Sequence, residues 1–223
     1  GHSGPVQRFA VGAPHVVPEL PVFSQLFGFG WSLCALTPDG ETWCGGLGSP
    51  SDDSAGVRLV EGLQNVAEVV GMMHTSNRRC ARLASGDVHC WAFEEATEKL
   101  ELGERVRDFQ VGAFARGSAF QVGGLKGARY AGCWLTESGK VLCNGSNYSG
   151  QLGIAEQGNW KAAPTSLERV PAAQELGWIE GGSVASSCVL AEDGRVVCWG
   201  RDDSGQVGDG PDRDGVMDPT YVV

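Results

Sequence analysis

Lysine is nearly missing from this chain: Lys99, Lys126, Lys140 and Lys161 are the only four in 223 residues, against 34 glycines. So little helix-forming cation among so many turn formers argues against long helices as the main theme. Positive charge is scarce overall, with 17 Lys and Arg against 27 Asp and Glu, a net charge of -10. That balance repels a phosphate backbone, and no stretch gathers a basic stripe, so nucleic acid is not expected as a partner. Long apolar runs are lacking too: none approaches the roughly 20 residues that cross a bilayer, so membrane insertion is not expected. No charged-then-apolar leader stands ahead of residue 14, which suggests soluble, already processed material. Gly1-His2-Ser3-Gly4-Pro5 reads as an expression scar or a mature terminus, and residues 1–13 as a tail. Its likeness to a nucleophile motif lacks the preceding strand that such a motif needs.

Cysteine is not scarce. Cys34, Cys44, Cys80, Cys90, Cys133, Cys143, Cys188 and Cys198 form four successive pairs, each with a separation of 10. Within each pair a glycine holds the same place, Gly40, Gly86, Gly139 and Gly194, preceded by Asp39, Ser85, Ser138 and Asp193. An Asp or Ser before a left-handed glycine is the chemistry of a tight turn, so each unit reads as a β-hairpin. In the first, Thr37 faces Glu41 as the hydrogen-bonded closing pair. Walking outward, Leu36 faces Thr42, Ala35 faces Trp43, and Cys34 faces Cys44. Strict alternation makes the cysteines a non-hydrogen-bonded pair, whose Cα separation of about 4.5 Å admits a disulfide. Reduced buried thiols and zinc shared by several pairs are the rival readings; zinc knuckles favour shorter intervals than these. Four bridges would place the chain in an oxidising compartment.

The first cysteines of successive pairs lie 46, 53 and 55 residues apart, a pitch suited to propeller blades or stacked solenoid units. After Cys143 comes Asn-Gly-Ser-Asn-Tyr-Ser-Gly-Gln-Leu-Gly, and after Cys198 comes Trp-Gly-Arg-Asp-Asp-Ser-Gly-Gln-Val-Gly. These two stretches align without a gap through Gly150-Gln151-Leu152-Gly153 and Gly205-Gln206-Val207-Gly208.

With the cysteine hairpins and the Cys198-Trp199-Gly200 step, the chain resembles the regulator of chromosome condensation repeat family over residues 14–223, in its secreted, bacterial, disulfide-containing form. The resemblance implies an all-β fold, a β-propeller with four-stranded blades. That family's propellers usually have seven, and its members include a nuclear guanine-nucleotide exchange factor and a secreted β-lactamase inhibitor. Two repeats depart from the pattern, with Gly45-Gly46-Leu47-Gly48 and Trp91-Ala92-Phe93-Glu94-Glu95 where the signature should follow. The histidine usual before the hairpin is missing unless His74 is its displaced form.

Spacing leaves room for about four blades, in repeats 14–56, 57–103, 104–160 and 161–223. The 33 residues before Cys34 and 25 after Cys198 together make one inter-hairpin segment with roughly a dozen residues to spare, which suits circular closure of four blades. In that reading Pro219-Thr220-Tyr221-Val222-Val223 is the opening strand of a blade, like Pro164–Val170, and pairs with N-terminal residues. A half-ring completed by a second chain, or a fragment of a longer propeller, is the rival.

Nothing in the residues demands an enzyme, a metal or a cofactor. His2, His15, His74 and His89 stand in no triad or metal spacing. Asp202, Asp203, Asp209, Asp212 and Asp214 crowd the last repeat but fail the calcium-loop spacing. Asn144-Gly-Ser and Asn147-Tyr-Ser are formal glycosylation sequons lying inside the repeat signature. Trp43, Trp91, Trp134 and Trp199 adjoin cysteines and are expected to pack between blades. Trp160, in the long connection after the signature, is the better contact residue. Met72, Met73, Phe114 and Arg116 follow glycine-containing steps ahead of hairpins, where a propeller can expose them; burial between blades is the competing reading. The expected function is an extracellular or cell-surface binding module, a monomer, presenting loops to a protein or a surface polymer. A secreted inhibitor of a hydrolase such as a β-lactamase, and a purely structural surface protein, are the alternatives.

Overall fold

The computed structural model describes residues 20–29, 32–46, 57–71, 79–91, 96–113, 121–122, 125–126, 130–147, 149–154, 160–181, 184–202, 204–208, 210 and 216–222. They form four antiparallel four-stranded sheets, and no helix occurs among the described residues.

The first sheet comprises β1 (Gln25–Phe29), β2 (Ser32–Leu36), β3 (Thr42–Gly46) and β4 (Arg58–Leu59). The second has β5 (Val66–Gly71), β6 (Arg79–Leu83), β7 (Val88–Trp91) and β8 (Glu98–Lys99). The third is built from β9 (Val106–Ala113), β12 (Tyr130–Thr136), β13 (Val141–Ser146) and β14 (Trp160–Ser166). A small ribbon of β10 (Gln121–Val122) and β11 (Leu125–Lys126) lies between its first two strands in sequence. The fourth contains β15 (Ala173–Gly181), β16 (Val184–Ala191), β17 (Val196–Gly200) and β18 (Val216–Tyr221). Each sheet is a meander whose strands pair in sequence order. The first strands, β1, β5, β9 and β15, lie against one another in succession, as the innermost strands of propeller blades do.

Strands two and three of every sheet are the cysteine hairpin. Thr37, Leu83, Thr136 and Ala191 donate their N–H to the carbonyls of Glu41, Asp87, Lys140 and Arg195 at 3.0, 2.9, 2.9 and 2.8 Å, closing the four turns. The turn glycines take φ of 81°, 85°, 83° and 82°, the left-handed conformation that the Asp-Gly and Ser-Gly steps foretell. Cys34 pairs with Cys44, Cys80 with Cys90, Cys133 with Cys143 and Cys188 with Cys198 in the strand register. All four pairs are disulfides, with Cα separations of 4.1, 4.0, 4.2 and 4.1 Å, and no free cysteine remains.

The core is made between sheets. The disulfide face of the first, with Leu36, packs on Val69, Ala81 and Trp91 of the second. The second sheet's disulfide and Val88 pack on Phe109, Val111 and Trp134 of the third, where Phe109 and Trp134 stack at 5.6 Å. The third sheet's disulfide, Leu135 and Val141 pack on Leu176, Val189, Val197 and Trp199 of the fourth. Every step therefore sets a disulfide face on the opposite face of the following sheet, burying large apolar side chains worth about 1.5–3 kcal/mol each.

Three sequence expectations change. The sheets run out of step with the repeat bounds, because β4 and β14 close the first and third sheets, whereas the spacing put residues 57–59 and 161–166 at the start of the next repeat. For the same reason Pro219 to Tyr221 is the closing fourth strand of the last sheet, paired with β17, rather than the opening strand of a blade. Among the described residues β18 pairs with β17 and β1 with β2, and the part of the expected N-terminal pairing that concerns residues 1–19 lies outside the described residues. Finally, Trp43 is not sandwiched between sheets. It sits half-buried on the face of the first sheet turned away from the second, its indole N–H reaching Glu41 at 3.3 Å.

Candidate interaction surfaces

The meander gives the stack two unlike ends. At one end lie the four cysteine-hairpin turns and the linkers between sheets; at the other, strands one and two and strands three and four are joined.

The turn end is satisfied by its own backbone. The N–H groups of Ala84, Glu137 and Glu192 donate to the carbonyls of Asn65, Arg105 and Ala172, which lie in the linkers entering the same sheets, at 2.8, 2.9 and 2.8 Å. Val106 and Ala173 in turn donate to Gly86 and Gly139 of the preceding turns, at 2.8 and 3.0 Å. Linkers are thus stitched to the turns on both sides. A cleft of about 330 Å³ opens here between the second turn and the linker Leu100–Arg105. Several of its charges are engaged: Asp87 pairs with Lys99 at 3.0 Å, and Glu104 takes Lys140 and the Ser138 hydroxyl. The Lys99 hydrogen bond holds the Asp87 carboxyl below its ordinary range, and Lys140 does the same for Glu104. Arg105 Nε donates to the Ser85 carbonyl at 2.6 Å.

The other end receives the longer segments. Residues 72–78 leave β5 at Gly71 and return at Arg79, residues 114–129 connect β9 to β12, and residues 155–159 precede β14. Met72, Met73, Phe114 and Arg116 fall in the first two of these and lie outside the described residues. Trp160 belongs to a strand rather than to the connection: its backbone opens β14 and pairs with Ser146. Of the five, only the backbone of Trp160 is described.

The described part of this end is a polar knot. Asn147 accepts the Leu152 N–H at 2.9 Å and donates to the Ile154 carbonyl at 3.2 Å. Gln151 accepts the Ser149 N–H at 2.7 Å and donates to the Ser146 hydroxyl at 3.3 Å. The next sheet fastens to the same loop, since Trp199 donates to the Gln151 carbonyl at 3.0 Å. In the fourth sheet Asp202 replaces Asn147, accepting the Val207 N–H at 2.6 Å. The signature residues are thus structural, and spacing alone had not shown that. Asn144 and Asn147 of the two sequons are both buried, Asn144 accepting the Trp134 indole N–H at 3.0 Å. Of the acidic crowd in the last repeat, Asp202 is the described member, committed to this loop; Asp203, Asp209, Asp212 and Asp214 lie outside the described residues. Burial pushes the pKa of His89 down, and it stands on the second sheet beside Ala81 and Lys99.

Comparison with known proteins agrees with this architecture. The family model for the Regulator of chromosome condensation (RCC1) repeat matches residues 183–206, the fourth cysteine hairpin and the signature as far as Gln206. The human regulator of chromosome condensation is 32% identical over 91 residues, 41% of this chain and 21% of that protein. The mouse protein is 31% identical over the same length, with the same shares. Among solved structures, Prp20p from Saccharomyces cerevisiae, studied with its binding to Gsp1p and histones, superposes with a TM-score of 0.70 at 18% identity, covering 93% of this chain and 52% of that one. Yeast RCC1 (Prp20) bound to Kap60 gives 0.66 at 18% identity, with 92% and 50% covered. Human WBSCR16 gives 0.60 at 16% identity, with 90% and 53% covered. The chain matches about a fifth of the length of the curated relatives and spans about half of the solved ones. At these identities the structural likeness establishes the fold.

Proposed function

We propose, for a chain that carries repeats of the regulator of chromosome condensation family folded as propeller blades, that it is a binding module rather than an enzyme, and that it works in an oxidising, extracellular or cell-surface setting. The observation that carries this reading is the asymmetry of the two ends. The turn end is closed by backbone hydrogen bonds, whereas strands one and two and strands three and four are joined at the other; we assign partner contact to that second end, with Met72, Met73, Phe114, Arg116 and Trp160 as the contact residues.

A disulfide across every hairpin supports the same reading, because a scaffold fixed before binding loses less conformational entropy when a partner docks. Aromatic and arginine side chains on connecting segments are the groups that dominate protein interfaces. The partner class is a protein or an exposed polymer. Solved relatives named with protein partners favour the former.

The test is capture from the host's extracellular material with oxidised protein, comparing the parent with a Phe114→Ala, Arg116→Ala, Trp160→Ala triple variant and with Glu104→Ala at the turn end. Loss of the captured species in the triple variant alone is expected. Equal capture by both variants, or loss only with Glu104→Ala, overturns the assignment of the binding end.

A further inference from the structure

The third and fourth sheets carry the same polar knot, so the two can be compared bond for bond. Asn147 and Asp202 hold equivalent places, each four residues after the second cysteine of its hairpin. In the third sheet the Asn147 carbonyl accepts the Gly150 N–H at 3.3 Å, its Oδ1 accepts the Leu152 N–H at 2.9 Å, and the Gln151 side chain accepts the Ser149 N–H at 2.7 Å. In the fourth the Asp202 carbonyl accepts the Gly205 N–H at 3.1 Å, its Oδ1 accepts the Val207 N–H at 2.6 Å, and the Gln206 side chain accepts the Ser204 N–H at 2.8 Å. These contacts match one for one.

One bond is not shared. Asn147 donates Nδ2 to the Ile154 carbonyl at 3.2 Å and so closes its loop. Asp202 carries an oxygen where Asn147 carries that NH2 group, and the exchange turns a donor into an acceptor. The Asp202 side chain is 0% exposed, and its Oδ2 has no hydrogen-bond partner among the described residues. A buried carboxylate oxygen left without a donor is costly, and where a native protein keeps one, a bound ion is among the few explanations.

The sequence around this oxygen points the same way. Residues 202–214 hold five aspartates, Asp202, Asp203, Asp209, Asp212 and Asp214, whereas the equivalent residues 147–159 hold one acid, Glu156. The excess of carboxylates stands in the repeat that lacks the donor. Among the described residues no three metal-ligating side chains gather, and Asp202 is the described member of this set. Calcium takes oxygen ligands, carboxylates, backbone carbonyls and waters together. The calcium-loop spacing that this stretch fails serves to shape a loop that nothing else folds; here the signature bonds hold the loop already. We propose that the fourth signature loop binds a calcium ion, with Asp202 Oδ2 as its buried ligand and aspartates of residues 203–214 supplying the further charge. The cation does for Oδ2 what the Ile154 contact does for the Asn147 NH2 group. This departs from the metal-free reading of the sequence, and none of the five residues assigned to partner contact belongs to the site.

Calorimetric titration of the oxidised, chelator-stripped chain with calcium chloride tests it, read beside thermal unfolding. Saturable binding is expected, and the ion should raise the melting midpoint by roughly 5 °C at about a hundred times its dissociation constant. Asp202→Asn restores the donor that the third sheet uses. That variant should fold, melt at or above the stripped parent, and show neither heat nor shift with calcium. Asp39→Asn removes an acid from the exposed first turn instead and should bind calcium as the parent does. No binding at millimolar calcium, binding retained by Asp202→Asn, or a stripped Asp202→Asn that melts below the stripped parent overturns the proposal.

Discussion

The indole N–H of Trp199 donates to the carbonyl oxygen of Gln151 at 3.0 Å, tying the fourth sheet to a loop 48 residues earlier. The Ser187 hydroxyl approaches the same oxygen at 3.5 Å, and Gly153 leaves no room between, since a Cβ there would stand 2.9 Å from the indole. One ring thus locks the signature loop and the sheet interface together.

Trp199→Phe keeps most of that packing and removes the donor, so it should lower unfolding free energy by about 1 kcal/mol. Trp199→Ala empties a fully buried site and should cost about 3–5 kcal/mol. Urea denaturation measures both, and equal losses would show that the hydrogen bond rather than the ring volume dominates.

Mass spectrometry without reduction should find the bridges Cys34–Cys44, Cys80–Cys90, Cys133–Cys143 and Cys188–Cys198. Each closes a short loop, and its loss should cost about 2–3 kcal/mol on the chain-entropy estimate. Melting under reducing conditions should therefore fall well below the oxidised value. An unchanged midpoint would show that the hairpins hold without their bridges.

Glu68 pairs across the strands with Arg82, yet its carboxyl pKa is raised, burial outweighing the attraction of the Arg82 guanidinium and Asp108 adding to the rise. A carboxyl that holds its proton more tightly when folded favours folding at low pH. That contribution is lost as pH climbs from the unfolded carboxyl range through the raised value. Glu68→Gln should flatten this part of the stability profile and narrow or reverse the parent's disadvantage toward neutral pH. Denaturation midpoints of parent and variant across the acid range give the difference, and parallel curves would remove Glu68 as the cause.

The four hairpins and their bridges were legible in the sequence because a turn glycine and two cysteines fix a register that nothing else can satisfy. Thr37 and Glu41 close the first turn as the alternation requires. Blade phase was not legible. The cysteines mark the two middle strands, and the strands on either side carry no label saying which sheet owns them. Pro164 and Pro219 made β14 and β18 look like openings, but both lie in outer strands beside register shifts, where a residue without an N–H is tolerated. Trp43 follows the same logic as Trp91 by sequence and differs because Trp91 faces the disulfide of the preceding described sheet, whereas no sheet precedes Trp43's among the described residues. The polar knot was hidden because Asn147 and Gln151 look like surface residues until Trp199 is placed above them.

The turn glycines allow the sheet-to-sheet contact to be separated from turn strain. Gly86 and Gly194 have nearly the same backbone, with φ of 85° and 82°. Alanine at either must adopt the left-handed region, at a cost of about 1–2 kcal/mol. At Gly86 the new Cβ would also lie 2.7 Å from Arg105 Cβ and 3.3 Å from its Cα, so the linker into the third sheet must move and its Val106 bond to the Gly86 carbonyl with it. At Gly194 it would meet nothing. Gly86→Ala should therefore be the worse substitution by about 1–3 kcal/mol, the usual cost of overpacking. Urea unfolding compares the two directly. Equal losses would mean that the linker yields freely and that the stack is held by its apolar faces without help from the turns.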